Sequence, residues 1–372
     1  MPNYKQIAQK ILDHANVTIN GDQPYDMQIK DERIYKRILS QGSLGLGEGY
    51  MDGWWDAPQL DEYFNRVIAA NLDKAIMNNK KLVANLAVAK VLNLQSKKRA
   101  FNIGEKHYDT GNNLYQHMLD KRMVYTCAYW ENGATNLDEA QEAKLDLICK
   151  KLNLQPGQKI LDIGCGWGSF LKFAAEKYGI KGVGITVSKE QIRLAQEMCQ
   201  GLDVEIRYQD YRDLDEKFDH IVSLGMIEHV GSKNYKTYMQ VANKCLKDDG
   251  LFLLHTIGGN KSVRSTDQWI GKYIFPDSML PSVKQLSEAY EGLFVTEDLH
   301  SFGINYDKTL MAWYENFNNN WDKIKQDYDE RFKKMWNYYL LCCAGSFRAR
   351  KNQLWQIVLS KNGVKGGYKS MR

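Results

Sequence analysis

Between residues 159 and 255 short apolar runs alternate with amphipathic stretches. Lys159–Ile163, Val183–Val187, Val204–Tyr208, Phe218–Ser223 and Gly250–His255 read as strands, because each is a brief segment rich in apolar residues, alternating with charged ones in Val204–Tyr208, that ends in polar or glycine-rich residues. A helix is predicted from about Ser169. Another, over Glu190–Cys199, sets Ile192, Ala195 and Met198 or Cys199 on one face. Strands that alternate with helices predict an α/β fold whose sheet is largely parallel and covered on both faces. Ligands of such sheets lie beyond the C-terminal ends of the strands. Gly164, Thr186, Asp210 and Glu228 follow the first four strands there, and His255 closes the fifth.

The flanks follow other patterns. Tyr4, Ile7, Ala8, Ile11, Leu12 and Ala15 form one helical stripe, and Leu60, Phe64, Val67 and Ile68 another. Between them the glycines of Gly42–Trp55 alternate with other residues, but no strand precedes them, so a turn-rich packing segment is predicted. Lys81–Leu94 reads as an amphipathic helix, either core or interfacial, and runs into the basic stretch Gln95-Ser96-Lys97-Lys98-Arg99. The expected organisation is a smaller, mainly helical N-terminal domain (1–95), a basic linker (96–106) and a larger domain (107–372). Residues 260–320 break the alternation and hold Trp269, Tyr273, Phe275, Phe302, Tyr306, Trp313, Tyr314 and Phe317, which suits a lid over an apolar substrate.

The chemistry enters at Ile160-Leu-Asp-Ile-Gly-Cys-Gly-Trp-Gly168, a strand that delivers the chain to a glycine turn before a helix. Missing side chains at Gly164, Gly166 and Gly168 let a bulky ligand lie against the backbone. Dinucleotides favour Gly-x-Gly-x-x-Gly. Here the spacing is Gly-x-Gly-x-Gly with Asp162 in front, which suits a ligand with a cationic amino acid end and no phosphate, namely S-adenosylmethionine.

Composition narrows the setting. The chain of 372 residues, 44% hydrophobic, can bury sizeable cores and fits two domains. It shows no apolar run long enough to span a membrane and no leader pattern. Seven cysteines without a Cys-x-x-Cys pair or a Cys/His cluster predict a reduced, metal-free, cytoplasmic protein, with Cys342-Cys343 as core filler. The net charge is +5, but Arg331–Arg372 holds ten Lys/Arg and no acid, which leaves the rest of the chain negative. A basic C-terminal stretch draws either nucleic acid or an anionic lipid surface, unless it is merely solvated.

Several segments together resemble the cyclopropane-fatty-acyl-phospholipid synthases and their relatives, the mycolic acid cyclopropane synthases. They are Gly42–Glu48, Leu94–Ala100, His107-Tyr108-Asp109 with Gly111-Asn112, Tyr125–Trp130, Leu161–Gly168, Gly225–Gly231, His255–Gly258, Thr309–Glu315 and Ala344–Arg348. The resemblance implies a class I S-adenosylmethionine-dependent methyltransferase (Rossmann-like) fold. It also implies transfer of a methylene group to the cis double bond of an unsaturated acyl chain in a membrane phospholipid, forming a cyclopropane ring. In that family a bound bicarbonate ion is thought to act as base. The matching positions are Cys127, Glu228, His255, Ile257 through its backbone N–H, and Tyr314. Glu228 would accept the ion's hydroxyl, His255 and Tyr314 would fix its other oxygens, and Cys127 would be a hydrogen-bonding wall. Cys343 lies in a segment like the family's C-terminal cysteine motif. Tyr129, Trp130 and Tyr314 are the aromatic candidates for facing a cationic intermediate.

For the cofactor, Asp162 and the loop Gly164, Cys165, Gly166 and Gly168 should meet the methionine end, with Tyr125 and Thr126 closing over it. The family usually has serine where Thr126 stands. Thr186 and Gln191 should take the ribose, since no acid follows the second strand, and Asp210 and Tyr211 should flank the adenine. A homodimer, peripherally bound to the inner membrane face and without nucleic acid, is expected. Two other readings stay open. A nucleic-acid or small-molecule methyltransferase would explain the fold and the basic tail but not the Cys127/Glu228/His255/Tyr314 set. A non-catalytic lipid-binding relative predicts damaged cofactor residues, and none is seen. Glu228 as a helix cap, His255 as a satisfied strand-end residue and Tyr314 as core are the plainer assignments.

Overall fold

The computed structural model describes residues 3–72, 111–131 and 133–372, which form two compact units. The helix expected over 81–94, the linker 96–106 and the His107-Tyr108-Asp109 motif lie outside the described residues.

One unit combines residues 3–72 with Thr266–Pro276 and Trp313–Lys351. Its helix Tyr4–Leu12 starts where the Asn3 side chain accepts the Gln6 N–H, and it buries Ile7, Ala8 and Leu12. Helix Leu60–Ala69 buries Leu60, Tyr63 and Phe64. Two short strands, β1 (Gln28–Ile29) and β2 (Trp55–Asp56), pair antiparallel.

The Gly42–Trp55 stretch departs from expectation, because most of it is a helix, Ser43–Met51. Its glycines are there for close packing. A Cβ at Gly45 would lie 2.5 Å from the Arg37 carbonyl oxygen, at Gly47 2.4 Å from the Trp269 ring, and at Gly49 2.2 Å from Ile34 Cδ1. Three contacts that admit no side chain outweigh the low helix propensity of glycine.

The long helix Glu330–Arg348 also belongs here. Trp269, Trp313 and Phe317 are at most 1% exposed in this unit, while Phe302 and Tyr306 are buried in the other. The aromatic density of 260–320 therefore builds cores, and that stretch is not one continuous lid. The reason is connectivity, since the chain passes between units after Ser265, Pro276 and Ala312.

The second unit holds the sheet. Its strands are β3 (Lys159–Ile163), β4 (Lys181–Thr186), β5 (Val204–Tyr208), β6 (Phe218–Leu224), β7 (Leu246–Gly259), β8 (Val295–Ser301) and β9 (Asn352–Ser360), in spatial order β5-β4-β3-β6-β7-β9-β8. The first five are parallel, and β9 runs antiparallel to both of its neighbours. Alternate residues of each strand feed opposite layers. Leu161, Ile163, Ile221 and Phe252 pack with Tyr238, Met239 and Leu286. Ile160, Val222 and Leu253 pack on the other side with Leu145, Ile148, Phe170 and Leu171. Each such buried side chain contributes about 2 kcal/mol. This is the class I methyltransferase-type α/β architecture, with the strand order reversing between β3 and β6. One strand end differs from expectation. β7 continues to Gly259, so His255 sits inside it, paired with Leu224 and Gln356, because the antiparallel partner β9 extends the ladder.

Candidate active site

The glycine turn after β3 has left-handed backbone at all three glycines, with φ of 83° at Gly164, 55° at Gly166 and 78° at Gly168. The Gly164 and Cys165 N–H groups both donate to the Ile185 carbonyl, at 3.0 and 3.1 Å, which ties the turn to β4. A Cβ at Gly168 would lie 2.9 Å from Cys199 Sγ, and one at Gly164 3.0 Å from Met226. At Gly166 it would meet no described atom within 4 Å, so bare backbone is presented there. Cys165 is buried and its Sγ packs toward Gly184, so it can offer a ligand only its backbone.

Asp162, one strand residue earlier, is 2% exposed, and its Oδ1 has no partner among the described residues. Burial pushes its pKa up to about 7 against the field of Lys144. An orphaned carboxylate oxygen beside uncovered backbone fits the ammonium-bearing end of S-adenosylmethionine. On β4, Thr186 Oγ1 meets Gln191 Oε1 at 3.1 Å and accepts the Ser188 N–H, so the two residues expected at the ribose are in contact. The adenine pair is rearranged. Arg212 grips the Asp210 carboxylate through both oxygens and holds it below its ordinary pKa. Tyr211 turns its ring into the core, 5.2 Å from Tyr238, because a 3-10 turn over Tyr211–Asp213 directs it inward. Large apolar groups open to solvent at these strand ends are instead Val187, 60% exposed, and Tyr208, 58%.

The segment 120–130 has no regular structure, and side chains satisfy its backbone. Asp120 accepts the Arg122 and Val124 N–H groups. Gln141 donates to the carbonyls of Val124, at 3.3 Å, and Thr126, at 2.8 Å. Lys144 Nζ donates to Thr126 Oγ1 at 2.9 Å. Thr309 Oγ1 accepts from Ala128 N and Trp130 Nε1, and Asn305 accepts the Trp130 N–H. Tyr125 meets Tyr115, which meets Trp167 of the glycine turn, each at 5.0 Å. None of Asp120, Gln141, Lys144, Asn305 and Thr309 was singled out from sequence. A signal existed for two of them. On helix Leu137–Lys151, Gln141 and Lys144 fall on the apolar stripe with Leu137, Ala140, Leu145 and Ile148.

Cys127 is fully buried, and its thiol donates to the Ala128 carbonyl. Burial pushes its pKa far up, which keeps it protonated and unreactive. Glu228, on a 3-10 turn after β6, is 4% exposed. Its Oε1 accepts the Ile257 N–H at 2.7 Å, while Oε2 has no partner among the described residues. Burial pushes its pKa up to about 7. The Ile257 N–H, expected to meet a bound anion, is thus engaged by Glu228, because β7 carries it past the turn.

His255 is 1% exposed, and Gln356 Nε2 lies 3.3 Å from its Nδ1. With that amide orientation Nδ1 accepts and Nε2 carries the proton, and Nε2 has no partner among the described residues. Burial, then Lys144 and Lys151, hold His255 well below its ordinary pKa and therefore neutral. Tyr129 is buried, with its ring edge-on to His300 and Phe302. Tyr314 and Cys343 belong to the helical unit, whereas Cys127, Glu228, His255 and Ile257 belong to the sheet unit. Burial raises the Tyr314 pKa, and its carbonyl accepts from Asn318.

Comparison with known proteins identifies the family. The family model described as mycolic acid cyclopropane synthetase matches residues 95–357. The cyclopropane-fatty-acyl-phospholipid synthase of Escherichia coli (strain K12) is 52% identical over 370 residues, covering 100% of this chain and 96% of its own. The structure of the cyclopropane synthase MmaA2 from Mycobacterium tuberculosis is similar with a TM-score of 0.64 and 31% identity, covering 68% of this chain and 96% of its own. That of mycolic acid cyclopropane synthase CmaA1 complexed with SAH and CTAB also gives 0.64, with 32% identity, covering 69% and 97%. The chain belongs to the mycolic acid cyclopropane synthetase family and is an S-adenosylmethionine-dependent methyltransferase.

Proposed function

We propose that this enzyme adds a methylene group from S-adenosylmethionine across the cis double bond of an unsaturated acyl chain in a membrane phospholipid, with bound bicarbonate as base. The observation that carries this reading is the pair Glu228 and His255. Both are buried, and each keeps one polar atom without a partner among the described residues. The likeness to the E. coli cyclopropane-fatty-acyl-phospholipid synthase and to CmaA1, whose structure is a complex with SAH, supports the substrate and cofactor classes.

An alkene is a weak nucleophile, so the site must hold it in line with the methyl donor and keep water out. S-adenosylmethionine supplies the electrophilic methyl on a sulfonium. The cation that develops on the chain would be trapped by water as an alcohol. Aromatic faces stabilise it by about 0.5–2 kcal/mol each, and we assign that role to Trp130, half-buried with its indole N–H held by Thr309. Bicarbonate, when bound, supplies an oxygen base for the last proton. A neutral His255 donates from Nε2 to an oxyanion, and Glu228 Oε2 accepts a hydroxyl proton while Ile257 steadies its other oxygen. The Cys127 thiol, held protonated, lines the site and is no nucleophile.

No helix among the described residues is long and apolar enough to cross a membrane. Recruitment to an anionic membrane surface is therefore assigned to residues 1–95 and to exposed basic residues near the C-terminal end, with a homodimer as the working assembly. Gas chromatography with mass spectrometry of fatty acid esters, from cells with and without this chain, tests the reading. A species one methylene heavier that resists mild hydrogenation is expected. A product that keeps a double bond and gains a methyl branch would replace ring closure by plain C-methyl transfer.

A further inference from the structure

Lys144 stands out among the charged side chains of the sheet unit. It lies in the middle of helix Leu137–Lys151 and is 0% exposed, a position where lysine is rare unless it is paired. Its ammonium donates a hydrogen bond to the neutral hydroxyl of Thr126, at 2.9 Å. No carboxylate of the described residues forms an ion pair with it, yet its charge is felt by Asp120, Cys127 and Asp162. The same helix also sends Gln141 to the Thr126 and Val124 carbonyls. Thr126 is thus held at its backbone and its hydroxyl by neighbouring turns of one helix.

We propose that Lys144 is a positioning residue of the cofactor site: it anchors Thr126, and its ammonium supplies the positive field in which Asp162 keeps its negative charge for the amino acid end of the cofactor. This rests on the reading that Asp162 faces that end. A buried carboxylate with an unpartnered oxygen resists ionisation. A cation that is not hydrogen-bonded to it favours the ionised form without occupying the oxygen the ligand needs. The other groups that bear on the pair are Cys165, Cys199 and Tyr238 at Asp162, and Asp120, Cys127 and His255 at Lys144. The three thiols and the phenol stay protonated and His255 stays neutral, so these five groups carry no charge near neutrality. Asp120 is itself pushed up to about 6 by burial. Lys144 is pushed down to about 8, so the field it provides is present near neutrality and fades as pH rises through that value.

Calorimetric affinity for S-adenosylhomocysteine, measured from pH 6 to 9 on the full-length protein, tests this. Lys144→Gln keeps a donor for Thr126 but loses the charge, and Thr126→Val keeps the charge but loses the anchor. The ratio of each variant's affinity to that of the wild type cancels titration of the ligand's own amino group. Lys144→Gln should bind about tenfold more weakly below neutrality, the size expected when one carboxylate pKa rises by about one unit. Its affinity should converge on the wild type's above pH 8. Thr126→Val should lose affinity by a pH-independent factor. A constant ratio for Lys144→Gln would overturn the electrostatic role. Asp162→Asn separates the two readings. If it leaves affinity unchanged at every pH, the placement of Asp162 at the cofactor fails; if it lowers affinity while Lys144→Gln does not, only the role of Lys144 fails.

Discussion

Two glutamates, half-buried Glu48 in the helical unit and buried Glu228 in the sheet unit, show opposite ways of withdrawing an acid from water. In the helical unit Glu48 accepts from Lys272 at 2.7 Å, Tyr273 at 2.8 Å and Arg37 at 2.5 Å. Burial alone would raise its pKa, yet these three partners hold it below the usual range. In the sheet unit Glu228 accepts one backbone N–H, and burial pushes it up to about 7. Glu48 has spent its lone pairs on its own fold, whereas Glu228 keeps an oxygen in reserve. An acid left incomplete by its surroundings marks a place built for something that arrives later.

Breaking the incomplete acid should cost chemistry and spare the fold. Glu228→Gln should lower turnover by about 10³-fold, within the range for loss of an acid–base partner, while cofactor affinity stays the same. Its stability at pH 8, read by urea unfolding, should equal or exceed that of the wild type, since an unpaired buried charge is removed. Depleting bicarbonate should slow the wild type and barely change the variant. Equal sensitivity of both would detach Glu228 from the ion.

Breaking the complete acid should do the reverse. Glu48→Gln leaves Lys272 and one bond of Arg37 without their partner, although Arg37 keeps Asp52. A loss of about 2 kcal/mol in unfolding free energy is expected, reduced from the fully buried case because Lys272 is partly solvated. S-adenosylhomocysteine affinity should be unchanged. A stable variant with weakened cofactor binding would erase the contrast between the two acids.

The pH dependence of stability sharpens the same point. Glu228 and Asp162 have folded pKa values above their unfolded ones, so the native state binds more protons than the unfolded state up to about pH 7. Their contribution is full below the ordinary carboxylate range and is lost as pH rises toward 7. Glu48 has the opposite sign, and its contribution is lost as pH falls through the carboxylate range. Urea titrations should show stability falling by on the order of 1–2 kcal/mol per raised acid between about pH 5 and 7. The variant carrying both Asp162→Asn and Glu228→Gln should lack most of that fall.

The sheet and the glycine turn were legible in sequence because a short apolar run, broken only by Asp162 and followed by Gly164, Gly166 and Gly168, constrains the backbone directly. The other alternating glycines, Gly45, Gly47 and Gly49, misled for a physical reason: a glycine that frees the backbone and a glycine that lets a neighbour approach look alike. Tertiary neighbours distinguish them, and at Gly47 that neighbour is the Trp269 ring, more than two hundred residues away in sequence. Cys127 was marked by motif resemblance alone, whereas the strand pattern placed Glu228 and His255 at strand ends and only the resemblance gave them roles. Tyr211 was placed by its strand-end position, but the turn that follows, invisible to patterning, reversed its ring. Lys144 was overlooked although the stripe it interrupts was readable, since a charged residue at a core position is the local inconsistency that marks functional sites.

The smallest effect concerns the surface. The sequence shows ten basic residues after 330 and no acid, but the structure divides them between the two units and holds at least four in ion pairs among the described residues. Arg331 pairs with Asp52, Arg348 with Asp61, Lys361 with Asp248 and Arg372 with Asp298. A cation already facing an acid adds little long-range attraction, so the membrane pull must be weaker than the raw count suggests. Lys365 and Lys369 are exposed on the sheet unit's final stretch. Each well-placed lysine near an anionic bilayer is worth about 1 kcal/mol. Lys365→Gln with Lys369→Gln should therefore lower activity on vesicles rich in anionic lipid by up to about tenfold at low salt. The deficit should shrink toward nothing as added salt shortens the screening length to about 10 Å and below. Activity on detergent-dispersed substrate should not change. If the double variant lost activity equally on vesicles and on dispersed lipid, these lysines would act on the fold or the site, and attraction to the membrane would have to reside elsewhere on the chain.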